Sequence, residues 1–298
     1  MVQRSGHLVN EEHTPLTTSL GTLGAIPSAT LVAMTDQWTL NRSNFEGRWQ
    51  GRGVWFTRTA DGVLDLEQPM RVMDPTTYAI SFGDPDTGTW DGSGLFFAPG
   101  GQATYPISRE TYNAGGGCWQ FPGAGGQSSL HLDPEQGRFG HEINLFRGRS
   151  RSMLVLMWEL VDAQWLLQTV GAVAFRCLNA TKLESQRPTC GTPETLLQPL
   201  RGWPGQCEIL HPQPGVNGWI TAPVPVVFDP EQLLGPSCSA VMPDGLVFSV
   251  PEQLPSRAFR LEVGGLLGTD LFQQISIVLD ASGRLNRWER RRFQPVLL

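Results

Sequence analysis

Trp49-Gln-Gly51-Arg-Gly53-Val-Trp55 alternates so strictly that, in an extended strand, the two tryptophans and two glycines share one side. Arg48, Gln50, Arg52 and Val54 take the other. Glycine in a strand interior marks a close approach of backbone or rings, so the stretch predicts a strand that bends over a packed plug. The rest of the chain is punctuated to match. With 34 Gly and 23 Pro among 298 residues, and 17% charged residues, short strands separated by turns are favoured over long helices. The fold class expected is all-β.

Strands are expected at Phe45–Arg58, Met70–Met73, Thr77–Phe82, Gly94–Phe97, Phe139–Phe146, Ser152–Trp158 and Trp165–Cys177. Asp36–Asn41 reads as a short helical lead-in capped by Asp36 or Thr35. Ala60-Asp-Gly62 reads as a hairpin turn. The glycine-rich 113–127 reads as a loop or a loosely paired hairpin. About eight strands in some 130 residues is the size of an eight-stranded antiparallel barrel.

The pattern then returns in order. Gly202-Trp-Pro-Gly205 echoes Trp49-Gln-Gly51, Pro223–Pro230 echoes Pro69–Pro75, and Asp244–Pro251 echoes Gly92–Pro99. A tandem duplication follows, its second copy shortened. The boundaries expected are a disordered leader at 1–35, with Met34 as an alternative start, a first barrel at 36–178, a linker at 179–199 and a second barrel at 200–298.

Composition excludes several functions. A net charge of −6 lacks the basic footprint of a nucleic-acid binder. No run of 18 apolar residues predicts a transmembrane helix. Five widely spaced cysteines without CxxC fit neither a disulfide framework nor zinc, and no signal peptide is evident, so reduced thiols in the cytoplasm are expected. The five histidines lack ligand spacing, so no metal is expected. Lys182 is the only lysine among the basic residues. That bias fits either a GC-rich genome or planar recognition of carboxylates by arginine.

Gly-x-Trp at the first strand of an eight-stranded barrel resembles the calycin superfamily, which includes the lipocalins. Asn44-x3-Arg48-Trp49-x-Gly51, Arg149–Val155, Met242–Pro251 and Phe259–Gly264 resemble a group of mostly cyanobacterial double-lipocalin proteins of unknown function, over residues 36–298. The resemblance implies two tandem lipocalin-like antiparallel barrels, the second shorter or incomplete. It implies structural roles for Trp49, under Arg176, and for Trp203, under one of Arg290, Arg291 or Arg292. Pro204 lacks a strand amide and predicts an edge or bulge at the start of the second copy.

Candidate chemistry is sparse. His141 shares a strand face with Phe139, Ile143 and Leu145, as either a core histidine or a cavity group, while Glu142 points the opposite way. Arg147, Arg149 and Arg151 recur at period two around a turn, forming either a carboxylate clamp or a solvated tip. Arg151, Met153, Val155, Met157 and Glu159 share a face that would serve equally as a pocket wall or as ordinary core. Trp158 lies on the same strand. Arg260 and Glu262 read as a surface pair or, if the face lines a barrel, as a buried patch. Arg287–Phe293 reads as a charged sheet edge or an anionic-partner patch. Catalytic motifs are absent, and no neighbour activates Cys118.

The expected function is binding of a small hydrophobic or amphipathic ligand with an anionic group, in the fatty acid, pigment or tetrapyrrole class. The ligand-binding candidates are His141, Arg149, Arg151, Met153, Met157 and Trp158. No cofactor is expected beyond a bound tetrapyrrole or lipid. The alternative is a bilin lyase or chromophore chaperone, or an isoprenoid-modifying enzyme, using His141, Glu142 or Glu262. A third reading makes the packing of the two domains, or a protein partner, the functional feature.

Overall fold

The computed structural model describes residues 31–95, 103–185, 187, 191–235 and 238–296. It is all-β, with two nine-stranded antiparallel sheets and little helix.

Helix α1 (Gln37–Phe45) begins where Asp36 caps it, its carboxylate accepting from the Trp38 and Thr39 amides at 3.1 and 3.4 Å. Nine strands of the first half follow: β2 (Gly47–Thr57), β3 (Arg71–Phe82), β4 (Thr87–Asp91), β5 (Thr104–Ser108), β6 (Cys118–Phe121), β7 (Ala124–Ser128), β8 (Arg138–Arg147), β9 (Ser150–Val161) and β10 (Gln164–Cys177). Their spatial order is β5-β4-β3-β2-β10-β9-β8-β7-β6. Pairing of β2 with β10 joins the first strand of this half to its last, and the open seam falls between β5 and β6. Both seam strands line the same cavity, so the sheet curls on itself. Gly51 is required by that pairing: a Cβ there would lie 2.1 Å from the Ala174 carbonyl oxygen on β10.

The strands of the second sheet are β1 (Leu31–Asp36), β11 (Pro204–Leu210), β12 (Asn217–Thr221), β13 (Val224–Val227), β14 (Cys238–Met242), β15 (Leu246–Val250), β16 (Phe259–Leu266), β17 (Phe272–Leu279) and β18 (Leu285–Phe293). They run in the order β1-β12-β11-β18-β17-β16-β15-β14, with β13 also on β11. β11 joins β18 as β2 joins β10. Gly205 faces Phe293 there as Gly51 faces Phe175, and a Cβ on Gly205 would lie 2.4 Å from the Arg292 carbonyl. Pro204 opens β11. Helix α2 (Pro193–Leu197) and the turn at 198–200 supply Leu196, Leu197 and Leu200 to a plug with Phe228, Phe272 and Phe293 on this sheet's own inner face.

Three expectations are corrected. Residues 31–36 form an edge strand that pairs with β12 of the second sheet; residues 1–30 of the expected leader lie outside the described residues. Gly94 and Leu95 are not in a strand, and the sheet instead contains β4 and β5, while residues 96–97 lie outside the described residues. Arg287–Phe293 is no edge, because β18 sits between β11 and β17 with partners on both sides.

The largest apolar core lies between the two sheets. It joins Phe121, Phe139, Ile143, Leu154, Leu156 and Trp158 of the first half to Phe248, Leu261, Ile275 and Trp288 of the second. Trp119 stacks on Trp288 across it at 6.0 Å between ring centres. Alternation along β8 and β9 sends His141, Ile143, Leu154 and Leu156 to this shared core and Glu142, Arg151, Met153 and Val155 to the concave side of the first sheet.

Candidate functional site: an aromatic cavity with a caged arginine

Inside the first sheet is a cavity of about 370 Å³, at the small end of the range that small-molecule sites occupy. α1 covers part of it with Trp38, Asn41 and Phe45. The strands add Trp55, Tyr78, Trp90 and Tyr105, and the seam segment adds Tyr112 and Cys118. Trp90 and Tyr105 stack at 4.8 Å, forming a flat stretch of wall. Burial pushes the Cys118 thiol up to about 11, so it is a thiol rather than a nucleophilic thiolate.

Arg151 is the polar centre. β9 aims it inward along with Met153 and Val155, and it is 2% exposed. Phe45, Tyr78 and Phe175 surround the guanidinium at 4.8–4.9 Å, with Trp49 at 5.9 Å, a cage of cation–π contacts. In its own plane, Nε donates to Asn144 at 2.7 Å, and Nη2 reaches Glu142 at 3.4 Å and the Met153 sulfur at 3.2 Å. Nη1 is buried and has no hydrogen-bond partner. Burial pushes the Tyr78 hydroxyl well above the usual phenol range, the nearby Arg151 charge opposing it. Tyr112 is raised likewise by burial, with its side-chain contact to Gln120 working against that.

The candidate residues thus separate. Glu142, Arg151 and Met153 come together in the cavity. His141 faces the other way, into the shared core against Phe139 and Trp158, with neither ring nitrogen hydrogen-bonded and its pKa lowered by burial to about 3. It is therefore not a cavity ligand group. Trp158 also lies in the shared core, donating to the Pro251 carbonyl at 3.0 Å. Met157 is half-buried opposite Gly140, beyond the lining residues.

The three period-two arginines go to three places, because the tight turn at Gly148-Arg149 interrupts the strand alternation. Arg147 leaves the first half to pair with Asp270 at 2.5 Å. Arg149 lies 4.8 Å over the Trp49 ring and donates to the Glu46 carbonyl and, at 3.0 Å, to the Cys177 sulfur. Arg151 alone enters the cavity. Trp49 is buried, its Nε1 donating to the Phe45 carbonyl at 2.8 Å. Its covering arginine is Arg149, whereas Arg176 turns to the opposite face and pairs with Asp244 at 2.6 Å. Trp203 packs half-buried against the apolar plug, while Arg290 goes to Glu208 and lies 5.2 Å over Phe121, and Arg291 pairs with Glu289.

Glu262 is buried in the second half, in a closed network of its own. Ser276 and Gln274 donate to its Oε2 at 2.6 and 2.9 Å, and Arg260 bridges it to Glu289. Burial pushes Glu262 above the usual carboxylate range, the Ser276, Arg260 and Gln274 contacts working against it. Glu289 is buried too, but Arg291, Arg260 and Arg287 outweigh that and hold it low. Tyr112, Tyr105 and Trp90 were missed by the sequence reading. They lie on short strands and the seam, where no periodicity builds up.

No family model and no curated protein matches the chain. Among solved structures, a protein of unknown function from the DUF3598 family of Nostoc punctiforme PCC 73102 matches with a TM-score of 0.61 and 17% identity, covering 88% of this chain and 100% of that one. The fold is shared. A tesB protein from Mycobacterium avium subsp. paratuberculosis and a putative thioesterase II from Thermobifida fusca match with TM-scores of only 0.13, at 13% and 11% identity, too low to bear on fold or function. The first covers 72% of this chain and 95% of its own, the second 89% and 88%. Among the described residues no helix is long and apolar enough to cross a membrane, and no group of three His, Cys, Asp or Glu is placed to hold a metal ion.

Proposed function

We propose that the chain is a binding protein for a small hydrophobic or amphipathic molecule, held in the first of two calycin-like barrels. The carrying observation is the aromatic cavity, walled by Trp55, Tyr78, Trp90 and Tyr105, with the buried Arg151 guanidinium caged at its polar centre. The Nostoc protein shares the fold and is itself of unknown function. The test is a thermal-shift screen of fatty acids, carotenoid fragments and bilins, with native mass spectrometry of the purified protein. A bound or stabilising molecule whose effect is lost in Arg151→Met supports the reading; no stabilisation by any class, with no co-purified mass, removes it.

Glu142 favours a second reading, an enzyme or chromophore chaperone, because it is the one candidate acid–base group on the cavity wall. On this reading Glu142→Gln abolishes turnover of a bound ligand while leaving its affinity largely intact. Unchanged turnover would dismiss it.

A further inference from the structure

Resting on the cavity reading, we infer that the ligand's polar end is a cation, an ammonium group on an aromatic body, met by the Glu142 carboxylate. The cavity presents one of its two charges and hides the other. Among the described residues lining it, only Arg151 and Glu142 are charged. The Arg151 side chain is 3% exposed, with four rings over its guanidinium and Asn144 and Met153 at its edge, so a ligand does not reach it. The Glu142 side chain is 38% exposed. Its Oε1 accepts from Asn144 at 2.9 Å and lies 3.4 Å from Arg151, while Oε2 has no hydrogen-bond partner among the described residues. The charge within a ligand's reach is therefore negative. The anionic ligand end expected from the sequence is reversed.

The walls suit such a molecule. Strand register carries Glu142 on β8 across to Gln127 on β7 and on to Cys118 on β6, which makes one side of the cavity polar. Beyond the open seam, Tyr105 on β5 is opposite Trp90 on β4, their rings stacked, and Tyr78 meets Trp90 edge-on at 5.7 Å. Burial, and after it the Glu142 charge, raise both the Tyr105 hydroxyl and the Cys118 thiol, so the carboxylate's field is felt on both sides of the seam. Ring faces attract cations, as in the aromatic cages that hold organic ammonium ions. Carboxylate and rings thus act on the same ligand charge. A carboxylate that already faces one guanidinium can take a second cation on its other oxygen; Glu289 in the second half holds three. The cavity's size limits the body to about one or two rings, so the ligand class is a small arylalkylamine.

The test uses three matched probes by calorimetry on the full chain: tryptamine, its uncharged analogue 3-ethylindole, and the anionic indole-3-propionate. Tryptamine should bind about tenfold more tightly than 3-ethylindole, the combined worth of a partly exposed ion pair and a ring contact, and indole-3-propionate should bind most weakly. In Glu142→Gln, which keeps the side chain's size, tryptamine should fall to within about twofold of 3-ethylindole, whose own affinity stays unchanged. The order of the probes on the unsubstituted chain reads the sign of the site without any variant. Equal binding of tryptamine and 3-ethylindole, or tightest binding of the carboxylate, would overturn the inference. So would a preference for tryptamine that survives Glu142→Gln, because it would come from the chain's general negative charge. If all three probes fail on a protein that binds a compound of the broad screen, this inference falls and the cavity reading stands. If every compound fails, both fall.

Discussion

At the residue scale, His141 shows what burial does to a titratable group with no partner. Its folded-state pKa of about 3 lies below the ordinary value of 6.5, because the core disfavours the imidazolium. The unfolded chain therefore binds a proton that the folded chain refuses. Stability is intact above about pH 6.5 and falls by about 1.4 kcal/mol per pH unit as the pH drops through the window toward 3. His141→Leu should flatten the difference in chemical-denaturation stability between pH 7 and pH 5 by about 2 kcal/mol, at the slope expected for one proton. An unchanged pH slope would show that His141 is solvated or paired in solution. Arg151 is the opposite case, a buried charge with rings, an amide and a carboxylate arranged around it. Removing it alone should destabilise the fold by about 1–3 kcal/mol, because Asn144 loses its buried charged donor while the half-exposed Glu142 stays partly solvated. Arg151→Met with Glu142→Gln should recover part of that in the same denaturation assay.

At the element scale, the short turn before β15 places Asp244 at φ +66°, with no exposed side-chain surface. Its carboxylate accepts from Arg176 at 2.6 and 3.1 Å, from Ser152 at 2.6 Å and from Arg187 at 3.2 Å, tying β10, β9 and the connecting segment to the second sheet. Burial works to raise its pKa, and the Arg176, Arg187 and Ser152 contacts outweigh that and hold it low. Asp244→Ala should cost about 3–5 kcal/mol by leaving two buried arginines without their anion. A loss under about 1 kcal/mol in urea melts would show the latch is solvated. Gly51→Val and Gly205→Val should each destabilise by at least about 1–3 kcal/mol, because the new side chain meets backbone on β10 or β18.

These elements also show what was legible in the sequence. The alternation around Trp49 and Trp55 and the density of turn signals made the all-β class legible, because strand period and glycine contacts are local. The Glu142 and His141 faces could be separated for the same reason, but which face meets the cavity depends on the second sheet. The fate of Arg149 was hidden by a two-residue turn, and that of Arg176 by a partner 68 positions away at Asp244. Neither leaves a periodic trace.

At the scale of the whole molecule, the shared core makes the halves mutually dependent. Phe139, Leu154 and Trp158 have their apolar cover in Phe248, Leu261 and Trp288 across the sheets. The full chain should therefore lose tryptophan fluorescence and far-ultraviolet signal in one coincident urea transition. Two separated transitions, or a stably folded 200–298 fragment, would show that the interface is dispensable.

The first of the described strands, β1, forms the edge of the second sheet, with Leu31 pairing to Thr221. On a ribosome moving at ~5–20 residues per second, β1 emerges roughly 10–40 s before its partner exists. Throughout that interval it is an unpaired strand edge beside a nascent first half whose outer face still lacks its cover. Output of folded protein should therefore respond to translation speed and to chaperones that shield strand edges, even though none of the residues concerned lies near the cavity.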